Sequence, residues 1–109
     1  MEKYKIVLES QLGPREGTLQ LEEKGEGTLT GSITLLGVEN AVFGERIDNH
    51  SFRLSHHLRT QISDLKCISV FHLECSKLSG TLYNDKNTML WHGERVSTKK
   101  GVNEKNDRE

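Results

Sequence analysis

The residues best equipped for chemistry in this chain are its histidines, five in number, and its two cysteines. His56 stands in the run "SFRLSHHLRT", residues 51–60. There Phe52, Leu54, His56 and Leu58 share one parity, and Arg53, Ser55, His57 and Arg59 share the other. Period two is the geometry of a strand, whose successive side chains point to opposite faces. His56 is therefore expected to face inward with its apolar neighbours. His72 and His92 stand mid-strand in later runs, and His50 lies in a turn. Two or three inward imidazoles at one level would bind zinc or titrate together near neutrality. The spacing matches no established zinc motif, however, and adjacent His56 and His57 cannot share one metal across a strand. Buried hydrogen-bonded or surface histidines are the simpler reading, and no metal or other cofactor is expected.

Nucleophilic and acid–base patterns are equally sparse. Cys67 and Cys75 fall in one run, "LKCISVFHLEC". On a single strand they would stand about 27 Å apart, whereas a disulfide needs Cα atoms within about 7 Å. Two reduced thiols follow. No Gly-x-Ser-x-Gly elbow is present. Asp48, Asp64 and Asp85 sit in turn-like stretches, where turn chemistry accounts for them. "GEGTLTG" lacks the Gly-Lys-Ser/Thr of a phosphate loop. Arg46, Arg53, Arg59 and Arg95 read as a solvated outer stripe beside His57. Inward histidines are the only support for an enzyme, and the chain reads more readily as a non-enzyme.

The elements that position these residues are strands throughout. With 109 residues and one proline, Pro14, the chain suits a single domain. "TLTGSITLL" sends Leu29, Gly31, Ile33 and Leu35 to one face and Thr28, Thr30, Ser32 and Thr34 to the other. Eight such runs are joined by connections of two to six residues, the hairpin range. The expected fold is all-β: an antiparallel eight-stranded up-and-down meander over residues 1–95, closed into a small barrel. Closure removes the two exposed edges of an open meander. It also explains why glycines recur in alternating runs, at Gly31, Gly44, Gly80 and Gly93. A side chain there would crowd a small barrel, and glycine lets the strand coil. Residues 96–109, "VSTKKGVNEKNDRE", are polar and without period, and are expected to form a disordered tail.

With "GEGTLTGSI" and eight consecutive strands, the chain resembles the calycin barrels, the lipocalin, fatty-acid-binding and avidin group. The segment is similar to the second-strand region of avidins, where Leu-Thr-Gly ends a tight hairpin. The resemblance implies a barrel topology, with ligand binding as an analogy. No binding residue carries over. The lone tryptophan, Trp91, lies in the last strand, far from the Gly-x-Trp of lipocalins, and one indole cannot wall an avidin-type pocket.

Composition narrows the partners. Fifteen basic residues balance sixteen acidic ones, for a net charge of −1, so neither nucleic acid nor an anionic membrane is expected. The opening "MEKYKIVLES" contains no apolar stretch of leader length, and the protein is read as cytoplasmic. Three functional readings stand side by side. In the first, the barrel is filled and serves as a structural or protein-interaction module, a homodimer included. The run "CISVF" favours this, because it exposes apolar groups outward. In the second, a small apolar ligand binds inside or at the mouth, lined by Leu54, His56, His72 and Trp91. An apolar cavity with a few converging polar groups would favour it. The third is the enzyme built on inward histidines.

Overall fold

The computed structural model describes residues 1–59 and 63–96. Eight strands follow in order: β1 (Glu2–Ser10), β2 (Gly13–Glu23), β3 (Thr28–Leu35), β4 (Val38–Asp48), β5 (Ser51–Arg59), β6 (Asp64–Glu74), β7 (Lys77–Tyr83) and β8 (Thr88–Val96). Each pairs antiparallel with the next, and β8 returns to pair with β1, so the sheet is a closed barrel. The expected all-β meander is the observed fold. The expected tail lies outside the described residues from 97 onward, and β8 runs one residue past the expected end of the barrel, through Val96.

Tight turns set the register. Leu36 and Gly37 join β3 to β4 with φ of 52° and 80°. Two positive φ values in a two-residue loop match the right-handed twist of the flanking strands. The first hairpin is tighter than the sequence pattern suggests. Ser10 pairs with Gly13, so the turn is Gln11–Leu12 and β2 already includes Pro14 and Arg15. Proline is tolerated there because β3 joins β2 only from Gly17 onward, leaving the backbone nitrogen of Pro14 no ladder bond to lose. This early start extends the inward row of β2 back to Arg15, Gly17, Leu19 and Leu21.

Inward residues fill the middle of the barrel. Tyr4, Ile6, Leu19, Ile33, Leu54, Phe71 and Trp91 are all buried. Fully burying one such aliphatic or aromatic side chain contributes roughly 1.5–3 kcal/mol. The glycines make that packing possible by two routes. At Gly31 a Cβ would stand 1.8 Å from the carbonyl oxygen of Gln20, and at Gly44 it would stand 1.9 Å from that of Arg53. Adjacent backbones approach too closely there for any side chain. At Gly80 a Cβ would likewise meet a backbone carbonyl, that of Val70 at 2.4 Å, and also the Phe71 ring at 3.0 Å; Gly80 pairs with Phe71 on one side and Trp91 on the other. Its missing side chain lets those two rings meet across it, with centroids 5.6 Å apart.

The two ends differ. At one end Arg46 pairs with Glu23 at 3.1 Å, and Arg95 lies 3.8 Å from Glu2. Arg46 and Arg95 are thus capping groups at this end, on the inward parity of their strands, rather than members of an outer stripe. Tyr4 donates its phenol to Glu2 here. Burial, then the bond and charge of Glu2, push the Tyr4 pKa up to about 12. The opposite end, where the β1–β2, β3–β4 and β7–β8 turns lie, has no such cap among the described residues.

Candidate functional site

The deepest polar group sits in the middle of the barrel. Ser69 is fully buried on β6. Its Oγ accepts the indole N–H of Trp91 at 2.9 Å. The same Oγ lies 2.8 Å from Nε2 of His56. The carbonyl of His57, 3.4 Å from His56 Nδ1, can only accept, so the proton sits on Nδ1 and the Ser69 hydroxyl donates to Nε2. Burial lowers the His56 pKa below the ordinary histidine value. The neutral imidazole, the hydroxyl and the indole thus satisfy one another. None of the three lines either of the two largest cavities described below.

A cavity does open at the uncapped end. It measures about 740 Å³, within the range of small-molecule sites. Leu8 of the core, with the partly buried Leu35, Leu58, Leu65 and Met89 packed against it, forms its apolar surface. The exposed Leu12, Leu36 and Val38 extend the rim at the two hairpin tips. Leu36 is unusual, since a branched side chain in the left-handed region costs about 1–2 kcal/mol and it gains no burial in return. Five polar residues join this apolar setting: Ser10, whose hydroxyl donates to the Gly13 carbonyl, Gln11, Arg59, which is paired with Asp64, Asn40 from β4 and the half-buried Arg15 from β2. Asn40 is only 6 % exposed, and its Oδ1 has no hydrogen-bond partner. A buried unpartnered amide oxygen costs roughly 1–3 kcal/mol.

A second depression, about 870 Å³, lies on the outer wall where Gly17 and Gly93 thin the sheet. Lys5, Glu16, Lys77 and Glu94 border it with both signs of charge, and no buried polar group faces it. No group of three His, Cys, Asp or Glu residues among the described residues is placed to hold a metal ion.

The residues singled out from sequence separate. Leu54, His56 and Trp91 come together in the core, with the His56 and Trp91 rings 6.5 Å apart. They lie beneath the cavity rather than along it. His72 does not join them. Cys67, Ser69 and Phe71 take the inward parity of β6, so His72 faces outward, where Nδ1 lies 3.0 Å from Ser51 Oγ. His92 also faces outward, beside Glu9. The expectation of several inward imidazoles at one level therefore reduces to His56 alone. Cys67 is buried and Cys75 exposed in the β6–β7 turn, both as free thiols. Arg15 and Asn40 did not stand out in the sequence. The signal for Arg15 was the period-two row Arg15, Gly17, Leu19, Leu21, obscured by the preceding proline.

A closed eight-stranded up-and-down antiparallel barrel is the architecture of the calycin class. Among solved structures the chain is similar to apo lipid binding protein 8 (LBP-8) of Caenorhabditis elegans. The identity is 15 %, the match covers 75 % of this chain and 72 % of that one, and the TM-score is 0.48. No protein-family model matches the sequence, and no curated protein is significantly similar to it. No helix among the described residues is long and apolar enough to cross a membrane.

Proposed function

We propose that the protein binds a small apolar ligand at the open end of its barrel. The observation that carries this reading is the 740 Å³ apolar cavity with the partnerless amide of Asn40 in its wall. Buried polar groups without partners are rare in folded proteins, and a binding site is a physical reason to keep one. The filled middle of the barrel limits the ligand to the mouth. The free thiols of Cys67 and Cys75 support a reducing compartment such as the cytoplasm. The test is titration with the neutral apolar dye Nile red, read by fluorescence, alongside native mass spectrometry of freshly purified protein. Saturable binding that Leu58→Trp abolishes while the fold persists is expected. Unchanged dye binding in that variant would remove the site.

A second reading rests on a different surface. Phe43 pairs with Ser55, Ser55 with Ile68, and Ile68 with Tyr83. Phe43, Ile68 and Tyr83 are all exposed on the outer wall, so an uncharged row crosses four strands. Such a row supports a contact between two copies of this chain. Sedimentation velocity over a wide concentration range tests it. A strict monomer throughout, with Ile68→Lys behaving like the wild type, would exclude it.

A further inference from the structure

Arginines in this protein are almost all spoken for. Arg46 meets Glu23, Arg53 meets Glu45 at 2.6 Å, Arg59 meets Asp64 at 3.5 Å and Arg95 meets Glu2. Arg15 alone among the described arginines has no carboxylate partner. It is also the one on the inward row at the open end, half-buried against the apolar cavity. An unpaired cation beside an apolar surface calls for one complement: an anion with planar acceptor oxygens on an apolar body.

We infer that the ligand of the open end is a compact apolar monocarboxylic acid, its carboxylate taken by the Arg15 guanidinium. This rests on the ligand-binding reading above. Arg59 also lines the cavity but is already paired with Asp64, so one free guanidinium neutralises one negative charge, and a dianion would leave charge uncompensated against Leu8, Leu35 and Leu58. The apolar body must be short. Leu54, Leu82 and Trp91 fill the lumen below, each 2 % exposed or less, so a long chain has no interior to enter.

The experiment is calorimetric titration of the full chain with a matched pair, hydrocinnamic acid at neutral pH and hydrocinnamyl alcohol, in wild type, Arg15→Gln and Arg15→Lys. The wild type should prefer the acid by about tenfold or more, the span of a charge-assisted hydrogen bond. Arg15→Gln should erase that preference and leave the alcohol unchanged, while Arg15→Lys keeps part of it. Added salt should weaken the acid and not the alcohol. Equal binding of acid and alcohol, or a preference that survives Arg15→Gln, overturns the carboxylate inference and leaves the pocket standing. If neither compound nor Nile red binds, the pocket reading fails and takes this one with it. Should Arg15→Gln not fold, the Arg15→Lys and salt series decide the matter.

Discussion

The indole of Trp91 and the hydroxyl of Ser69 form a buried donor–acceptor pair across the barrel, 2.9 Å apart, 22 residues distant in sequence. Because Ser69 Oγ also engages His56, one small side chain satisfies two larger ones. Ser69→Ala would strand the indole N–H and the imidazole together in a dry interior. Each unpartnered group costs roughly 1–3 kcal/mol. Urea unfolding should show a loss of several kcal/mol, well above that of a typical Ser→Ala change, and Ser69→Thr should recover part of it.

His56 makes stability pH-dependent in a stated direction. Its folded pKa lies below the unfolded value of 6.5 because burial disfavours the imidazolium. Above 6.5 the group is neutral in both states, and its contribution is fully present and independent of pH. As pH falls below 6.5 the unfolded chain takes up the proton first, so folding loses free energy until the folded pKa is passed. The difference in unfolding free energy between wild type and His56→Gln should therefore shrink on acidification from pH 7 to 5. A difference flat across that range would remove His56 as the cause.

Tyr4 acts at the other extreme. Its phenol, buried beside Glu2, has a pKa of about 12 against 10 when exposed. Its contribution to stability is complete below pH 10 and disappears as pH rises through 12. Absorbance titration of the phenolate should show one tyrosine ionising near pH 12, and Tyr4→Phe should delete that phase alone.

Gly31→Ala tests barrel closure. The added Cβ meets the backbone of Gln20 at 1.8 Å, so β2 and β3 must separate. Overpacking against side chains costs about 1–3 kcal/mol; against a backbone carbonyl the loss should reach or exceed the top of that range. Gly25→Ala, in the β2–β3 turn with φ of 70° and open space around it, should cost only about 1–2 kcal/mol. Thermal unfolding of both variants compares them directly.

Asn40→Leu separates function from stability. Removing a buried, partnerless amide oxygen and adding apolar contact should raise the unfolding free energy by about 1–2 kcal/mol. A fold-serving Asn40 would instead make the variant less stable, and chemical denaturation distinguishes the two.

Period two in the runs around Leu29–Leu35 and Phe52–Leu58 was enough to place β3 and β5 and the inward face of each. The glycines at 31 and 80, set inside alternating runs, marked where the sheet bends and where rings need room. His56 was legible as inward for the same reason, since parity along one strand is a local property. His72 was not legible. Residues 65–75 are apolar on both parities, so either register buries hydrophobic groups, and only pairing with β5 and β7 decides that Ser69 and Phe71 point in.

What the amino-acid order determined by itself is the alternation, the turns and hence the meander. Those depend on neighbours a few residues apart. Which end of the cylinder is capped, and which left open, depended on the tertiary structure. Glu2 and Arg95 meet only after closure has brought β1 beside β8, and Glu23 reaches Arg46 only across β3. The isolation of Arg15 and Asn40 is likewise a statement about what fails to reach them, and no local pattern encodes an absence of partners.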